Sequence, residues 1–366
     1  MKPLSYRPLL RPSTTILVAA LVFGAAVAAA KESDLVDSKQ THYQLGRGLE
    51  IPKYDLTIGG YANLTLRGGD ERSWRLSAED LSLFLTWSPS ERWLFFSEIE
   101  VGEAVTVSDD GIRSRDADFD LERLYADYSV SQALTLRVGK FLTPIGKWNV
   151  VHAAPLVWTT SRPLITQRTF ARQATGAMLH GTLTIAERDL DYSLYADDSD
   201  DLDPEREKAE TVAPQLVPAN NFDNAFGANL RYRFFDDQVE LGLSYANFEM
   251  EGLQTRQNLL GADIQWQIGR TEISAEGLYR FSSDDRDRDE WGAFIQGVTP
   301  IVGNLYGVLR GEVFESSYTG NTARLGTVGL AYRPIPPITL KVERLLGDDN
   351  AQLSPDGWFG SIAILF

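Results

Sequence analysis

Apolar and polar residues alternate with a period of two along most of this chain, which is the pattern of β-strands with one apolar and one polar face. The alternation recurs in sixteen segments of roughly ten to fourteen residues. The segments predict an all-β fold, and they cover residues 54–66, 75–87, 92–106, 119–130, 133–142, 173–186, 189–196, 224–234, 239–249, 257–268, 271–281, 291–299, 304–315, 323–333, 338–346 and 358–366.

The connections between these segments alternate in length. Tight turns follow the even-numbered segments, as at Ser88–Ser90, whereas longer polar loops such as 143–172 and 197–223 follow odd-numbered ones. An antiparallel barrel with short turns at one rim and long loops at the other has this layout, and a Greek-key sandwich does not. We therefore predict a single transmembrane antiparallel β-barrel of sixteen strands over residues 54–366, with both ends at the short-turn rim.

The alternation also assigns the two faces of each strand. Near the end of the chain, Leu340 and Val342 alternate with Lys341 and Glu343. Lys or Arg facing lipid at the bilayer midplane costs about 2–4 kcal/mol, so we expect the charged positions to face the lumen. A barrel of sixteen strands leaves an aqueous channel, whereas one of about eight is filled by side chains. The predicted architecture therefore implies a pore.

The N-terminal region has the features of a secretory signal. The first thirteen residues contain three basic residues and no acid, and an apolar run over 16–30 ends in small residues. These features predict a signal peptide over 1–30, cleaved near Ala30, and hence export. The polar residues 31–53 are predicted to form a short periplasmic segment, which could be disordered, reach into the lumen or act as an interaction arm.

Composition narrows the function further. The chain has no cysteine, so disulfides, thiolate nucleophiles and Cys-ligated metals are excluded. Its formal charge of −16 argues against nucleic acid as a partner. Acidic surface loops are compatible with a Gram-negative outer membrane, where the expected partners are membrane lipid and lipopolysaccharide.

The connection 143–172 differs from the other long loops. It has four cations, no Asp or Glu, and large apolar residues that include Trp148, Leu156, Val157 and Ile165. As an extended surface loop it would expose these apolar groups without a partner. We therefore expect it to fold inward and narrow the lumen. A lid or a subunit contact on the outside is the alternative.

An inward loop would face charged residues of the barrel wall. The predicted constriction and selectivity residues are Lys147, His152, Arg162, Arg168 and Arg172 in the loop, and Glu98, Glu100, Arg123 and Arg137 on the wall. A ring of charges biased to one sign sets ion selectivity, so a basic loop predicts weak anion preference. Neutralisation of the loop cations by Glu98 and Glu100 is the competing interpretation.

Parts of the chain resemble the phosphate-selective porin O and P family. The residues that carry the likeness are Ile58-Gly-Gly-Tyr61, Leu124-Tyr-Ala-Asp-Tyr128 and Leu134-Thr-Leu-Arg-Val-Gly-Lys-Phe-Leu-Thr-Pro-Ile-Gly146. The resemblance implies a sixteen-stranded, usually trimeric channel for small anions or other small solutes, with the strand end Gly-x-Phe-x-x-Pro leading into a loop inside the pore. Phosphate-specific members have an arginine ladder and a lysine cluster. Here Arg123, Arg137 and Arg310 are interleaved with carboxylates, so phosphate specificity is not expected.

Enzymatic and metal chemistry have little support in the sequence. Enzymes with an outer-membrane barrel fold need a histidine-based constellation, and no nucleophile motif lies beside His42, His152 or His180. The acidic run 197–203 lacks the glycine and terminal glutamate of a calcium loop. We therefore expect no enzyme activity, no cofactor and no metal site.

The last strand bears on barrel closure and assembly. Trp358, Ile362, Ile364 and Phe366 share one of its faces, and we expect the two isoleucines to contact lipid and the strand to pair with 54–66. Resemblance to other outer-membrane barrels suggests that these four residues form the signal read by the barrel assembly machinery.

Together these features predict an outer-membrane porin for passive diffusion of small ions and solutes. The resemblance implies a homotrimer. A partner-gated export or transport channel, and a surface receptor or adhesin that acts through the long loops, remain open alternatives. Single-channel conductance distinguishes the porin from the partner-gated channel.

Overall fold

A computed structural model describes residues 40–69, 72–109, 111–114, 118–202, 221–250, 255–282, 289–317, 320–347 and 355–366. The predicted signal peptide over 1–30, and the part of the predicted periplasmic segment before residue 40, lie outside the described residues. All sixteen predicted strands are present. Among the described residues, no helix has the length and apolarity needed to cross a bilayer.

Sixteen of the nineteen strands form a closed antiparallel barrel. The wall strands are β3 (Leu56–Gly69), β4 (Arg72–Ser90), β5 (Trp93–Ser108), β7 (Asp118–Ser131), β8 (Leu134–Leu142), β9 (Gln173–Ile185), β10 (Arg188–Asp197), β11 (Phe222–Phe234), β12 (Val239–Met250), β13 (Gln257–Ile268), β14 (Thr271–Ser282), β15 (Glu290–Val302), β16 (Leu305–Glu315), β17 (Thr322–Ile335), β18 (Ile338–Leu346) and β19 (Gly357–Leu365). Strand β19 pairs with β3, with Ile362 opposite Leu64, which confirms the predicted closure. Closure pairs the backbone groups that a sheet edge would expose.

The remaining elements are short. Strands β1 (His42–Gln44) and β2 (Gly48–Ile51) form an N-terminal hairpin, and β6 (Gly111–Arg113) extends the edge of β5. A 3₁₀ turn (Pro52–Tyr54) precedes β3, helix α1 (Leu164–Arg168) lies in the long loop, and helix α2 (Ser199–Leu202) follows β10.

The predicted assignment of faces is confirmed in β13 and β18. Leu260 of β13 is exposed on the outside, whereas Asp263 on the opposite face is buried. In β18, Val342 is exposed while Lys341 and Glu343 are buried. The outer surface is thus an apolar belt, and the charged positions point into the barrel.

The short turns lie within a few residues of their predicted places. Strand β4 continues to Ser90, which still pairs with Trp93, so the turn comes at Glu91 and Arg92 rather than at Ser88–Ser90. The β9–β10 turn places Ala186 and Glu187 at φ of 51° and 61°. Two positive φ values are typical of a type I′ turn, whose twist matches that of the flanking strands.

The N-terminal hairpin lies at the short-turn rim. Strand β2 pairs with the start of β3, with Leu49 opposite Ile58, beside the point where β19 ends. The Nε2 of His42 lies 3.1 Å from a carboxylate oxygen of Glu50 across the hairpin. Of the three possibilities for residues 31–53, the part after residue 40 thus fits a short arm at this rim.

The main apolar cluster lies inside the barrel. It joins the loop 143–172 to inward-facing side chains of β9 to β17. The predicted burial of the apolar loop residues is confirmed for Trp148, Val157 and Ile165, whereas Leu156 remains 50% exposed. The loop therefore occupies part of the lumen, as predicted.

Candidate functional site

The chain leaves the wall at two glycines whose surroundings leave no room for a side chain. Gly139 has a φ of 129°, and a Cβ there would overlap the carbonyl oxygen of Leu124 on β7. Gly146 has a φ of 65°, and its Cβ would overlap the carboxylate of Glu276. Positive φ is readily available only to glycine. Phe141, between them, is fully buried. The glycine and phenylalanine spacing seen in the sequence thus marks the turn from wall to lumen.

Three buried wall carboxylates hold the loop by accepting its backbone N–H groups. The pairs are Glu276 with the amides of Lys147 (3.1 Å) and Trp148 (3.3 Å), Glu343 with those of Thr160 (3.0 Å) and Ser161 (2.6 Å), and Glu312 with that of Leu164 (2.7 Å). A buried charge is tolerated only when it is hydrogen-bonded or paired. The loop amides therefore stabilise charges that belong to the wall.

Two wall cations hold the loop by donating hydrogen bonds to its oxygen atoms. Lys341 donates from Nζ to the carbonyl oxygens of Ala154 (2.9 Å) and Thr159 (3.0 Å). Arg310 donates to the Oγ1 of Thr159 and to both oxygens of Ser161, at 2.7–3.0 Å. All five wall charges lie on β14, β16 and β18, so the loop is held against that side of the barrel. Sequence reasoning placed several of them on the lumen face but could not show that they bind the loop.

Lys147 is paired rather than free. Its Nζ donates to Glu240 of β12 at 2.8 Å. The loop cations were predicted to lie opposite Glu98 and Glu100, but Lys147 lies at the other half of the wall. Lys147 therefore shares the Glu240 carboxylate with Arg231 and Arg233, at 3.0 and 3.4 Å.

His152 lies inside the folded loop. It is 7% exposed, and its Nδ1 is 3.0 Å from the carbonyl oxygen of Asn149, which fits a neutral ring donating from Nδ1. Burial, with help from the nearby Arg162 and Arg172, lowers the pKa of His152 to about 3. The structure thus places this predicted constriction residue away from the lumen surface and in its uncharged form.

Arg162 is the loop cation that faces the opposite wall. It is half-buried, and its guanidinium forms no ion pair among the described residues. Its charge acts on Asp80 of β4 and on Glu100 of β5. Both carboxylates accept only neutral donors in the described part of the chain, Asp80 from Asn63 and Glu100 from the hydroxyls of Tyr61 and Ser82. Two carboxyl groups that have no cationic hydrogen-bond partner among the described residues therefore lie within electrostatic reach of Arg162.

The other two predicted loop cations lie near the loop's return to the wall. Arg172 acts electrostatically on the buried Glu122 of β7. The Glu122 carboxylate also accepts a hydrogen bond from the side-chain amide of Gln173. Its carbonyl oxygen accepts the backbone N–H of Thr143 at 2.8 Å, which closes the base of the loop. Arg168 ends helix α1 and is half-buried.

The predicted wall residues form close ion pairs. Arg123 donates from Nε to Glu98, which is 1% exposed. Arg137 makes two hydrogen bonds to the carboxylate of Asp127, at 2.7 and 2.8 Å. Glu98 therefore neutralises a wall arginine, not a loop cation. Of the two carboxylates in the competing interpretation, only Glu100 lies near a loop cation, Arg162.

Asp80 was missed by the sequence analysis. A β-bulge in β4 shifts the register between Ala78 and Asp80. Strict alternation from the inward-facing Ser77 would point Asp80 outward, but a bulge re-aims the residues that follow it. The sequence contains one signal of the bulge. Before it the odd-numbered Ser77 faces inward, whereas after it the even-numbered Ser82 is buried and the odd-numbered Leu81 is exposed.

The closing strand differs in one respect from expectation. Trp358 and Ile362 are exposed, but Ile364 is only 7% exposed, so its predicted lipid contact is wrong. Ile364 lies between Ile338 and β3 close to the short-turn rim. Phe366 exchanges two backbone hydrogen bonds with Gly60. The assembly role of these residues stays a prediction.

No protein-family model and no curated protein sequence matches the chain. Several solved structures are similar to the chain. The anion-selective porin from Comamonas acidovorans has a TM-score of 0.58 at 14% identity, over 85% of this chain and 99% of that one. The outer-membrane channel DcaP of Acinetobacter baumannii has a TM-score of 0.57 at 13% identity, over 87% of this chain and 100% of that one. OmpT of Vibrio cholerae in its trimer form has a TM-score of 0.55 at 9% identity, over 85% of this chain and 99% of that one. The chain has the sixteen-stranded fold of these outer-membrane proteins.

Proposed function

We propose that the protein is an outer-membrane porin through which small ions and solutes diffuse passively. The observation that carries the proposal is the loop 143–172, which hydrogen bonds to Glu276, Glu343 and Lys341 of the wall hold inside a closed barrel. An apolar outer belt suits the hydrocarbon of a bilayer, and a lumen with charges of both signs suits water. The inward segment is a single loop of about thirty residues, which is much shorter than a plug domain, and this favours diffusion over partner-gated export.

Selectivity at the constriction depends on Arg162. Because Lys147 is paired with Glu240, the anion-favouring part of the field comes mainly from this one guanidinium. Asp80 and Glu100 oppose it from the other side of the passage. A transverse field of this kind gives weak selectivity. We propose a slight anion preference because the loop itself has four cations and no Asp or Glu. The likeness to an anion-selective porin supports that sign.

The assembly proposed here is a homotrimer in the outer membrane. The trimer form described for the Vibrio cholerae protein supports the oligomeric state, and the apolar belt supports contact with membrane lipid and lipopolysaccharide. The resemblance to the phosphate-selective porins rests on residues 58–61, 124–128 and 134–146. In the last of these segments, Gly139, Phe141 and Gly146 have structural roles that an inward loop needs whatever its solute. Phosphate specificity is not proposed.

The test is ion flow through purified protein in a planar bilayer. In a KCl gradient, the wild-type channel should conduct steadily, with a small reversal potential of the anion-selective sign. A unit charge about 5 Å from a permeant ion in water contributes roughly 0.8 kcal/mol. Reversing Arg162 to Glu therefore changes the barrier by about 1.6 kcal/mol, or roughly 15-fold in permeability before screening by salt. The reversal potential should move to the cation-selective sign.

Arg92→Glu is the matched control. Arg92 is exposed at the turn between β4 and β5, so the same change of charge is made outside the constriction. It should leave the reversal potential within error of wild type. A silent channel would overturn the porin proposal and favour the partner-gated alternative. An unchanged reversal potential in Arg162→Glu would overturn the role of the loop in selectivity.

A further inference from the structure

One part of the lumen wall carries aromatic rings that do not belong to the main apolar cluster, although Tyr125 packs against it. Phe84 of β4, Phe96 of β5 and Tyr125 of β7 face inward and are half-buried. Their ring centroids lie 5.8 Å apart for Phe84 and Phe96 and 5.3 Å apart for Phe96 and Tyr125. Together with Arg123 and Arg137 we call these residues the aromatic–arginine row.

The two arginines lie over the rings. The Arg123 guanidinium is 4.6 Å from the centroid of Phe96, and that of Arg137 is 3.8 Å from the centroid of Tyr125. Arg123 also lies 5.7 Å from Phe84. Cation–π contact holds a guanidinium over the ring face, where it retains a free planar surface and free edges.

Hydrogen-bonding capacity remains at the edges of both guanidinium groups. Arg123 uses its Nε for Glu98, and Arg137 uses Nε and Nη2 for Asp127. Within the described residues, the two Nη groups of Arg123 and the Nη1 of Arg137 make no further hydrogen bond to a carboxylate. Both arginine side chains keep about a fifth of their surface exposed, 21% and 20%. They can therefore reach a solute in the passage.

The opposite half of the lumen is built differently. There the inward-facing rings, such as Phe248 and Phe294, are buried under the loop and form its apolar core. Small polar side chains would suit a wall in contact with water, and they would not expose apolar rings to it. Phe84 and Phe96 therefore present ring surface that the apolar core of the loop does not use.

We infer that the aromatic–arginine row is a binding surface for planar aromatic carboxylates on their way through the channel. An aromatic ring can stack on the open face of a guanidinium, while its carboxylate accepts N–H groups from the guanidinium edge. A saturated carboxylate of the same size lacks the first interaction, and a neutral aromatic lacks the second. The inference rests on the proposed diffusion function and adds a preferred class of solute to it.

The experiment measures current reduction by added solute in single channels. Benzoate is compared with cyclohexanecarboxylate, which has the same charge and similar size, and with benzyl alcohol, which has the ring alone. Benzoate should reduce the current half-maximally at a concentration about tenfold below either of them, which corresponds to about 1.4 kcal/mol. In the double variant Phe96→Leu, Tyr125→Leu, this preference should fall to less than about threefold.

Phe359→Leu is the matched control. Phe359 of β19 is also half-buried beside an arginine, with Arg67 5.3 Å from its centroid, but it lies outside the row. It should keep the wild-type preference for benzoate. Should the double variant fail to fold, Arg137→Lys keeps the charge, removes the planar surface and should also lose the preference.

The outcomes separate the two proposals. A channel that conducts KCl but responds equally to benzoate and cyclohexanecarboxylate overturns the binding surface and leaves the porin intact. A tenfold preference that survives in the double variant or in Arg137→Lys places binding elsewhere and also overturns it. A channel that does not conduct overturns the proposed function itself.

Discussion

The substitution Gly146→Ala tests whether the loop is held by the fit between this glycine and Glu276. The added methyl would overlap the Glu276 carboxylate, and alanine would have to adopt a φ of 65°. Gly269→Ala is the control, because Gly269 has a φ of 59° but open space around its Cβ. The two variants share the backbone cost and differ in the overlap.

The expected cost has two parts. A left-handed alanine costs about 1–2 kcal/mol. Displacing Glu276 breaks its hydrogen bonds from the amides of Lys147 and Trp148, each worth about 1.5–3 kcal/mol because the acceptor is charged. The total of roughly 4–8 kcal/mol is confined to the first part of the loop. Arg310 and Lys341 still hold the later part, so we expect residues 143–148 to detach while the barrel remains folded.

Single-channel conductance and heat-modifiable electrophoretic mobility together provide the assay. Gly146→Ala should conduct more than wild type and pass larger sugars in liposome swelling, with unchanged mobility of the folded barrel. Gly269→Ala should match wild type in conductance. In a Glu276→Ala background the overlap is gone, so Gly146→Ala should add only its backbone cost. An equal effect of Gly146→Ala in both backgrounds would refute the reasoning.

Three further predictions concern other parts of the site. Lys341→Met removes both hydrogen bonds to loop carbonyls, so open-channel noise should increase, and a quiet trace would contradict the role of Lys341 in holding the loop. Burial and the nearby arginines lower the pKa of His152 to about 3, so His152→Gln should leave the reversal potential unchanged between pH 5 and 8. In the unfolded chain, His152 takes up a proton below its ordinary pKa of about 6.5, whereas in the folded protein it stays neutral down to about pH 3. The free energy of unfolding of the wild type should therefore decrease relative to that of His152→Gln as the pH falls from 6.5 towards 3. A difference in stability confined to neutral pH would contradict this pH dependence. Gly139→Ala should lower the yield of folded barrel because its Cβ would overlap Leu124, whereas Gly311→Ala, with open space around its Cβ, should not; equal yields would show that the kink tolerates a side chain.

Local patterns were sufficient to predict the barrel. Strand existence and facing follow from a period of two, which every strand carries in its own residues, and the alternation of short and long connections orders the strands around the wall. The apolar and basic character of 143–172 was likewise enough to predict that this loop lies inside. Lys341 and Glu343 of β18, which are two residues apart and share one face, could be assigned to the lumen because of the same period of two.

The partners of the charges could not be predicted in this way. Whether Lys147 meets Glu240 or Glu100 depends on the path of the loop across some thirty residues, and no local pattern encodes that path. The bulge before Asp80 hid a lumen carboxylate, because strict alternation breaks where one residue is added. His152 was placed in the passage by its neighbours in sequence, although its own contacts bury it.

The charges of the lumen divide into two sets with different tasks, and this division can itself be tested. On β14, β16 and β18, Glu276, Glu312, Glu343, Arg310 and Lys341 bind loop backbone, so changing them should alter the position of the loop and the size of the opening. On β4 and β5, Asp80 and Glu100 face Arg162 and bind no loop backbone in the described residues, so changing them should alter the sign of the field. Asp80→Asn should therefore shift the reversal potential towards anion selectivity at nearly constant conductance, whereas Glu343→Gln should raise conductance with little shift. The reverse pattern would mean that the wall is one coupled network rather than a loop anchor opposite a filter.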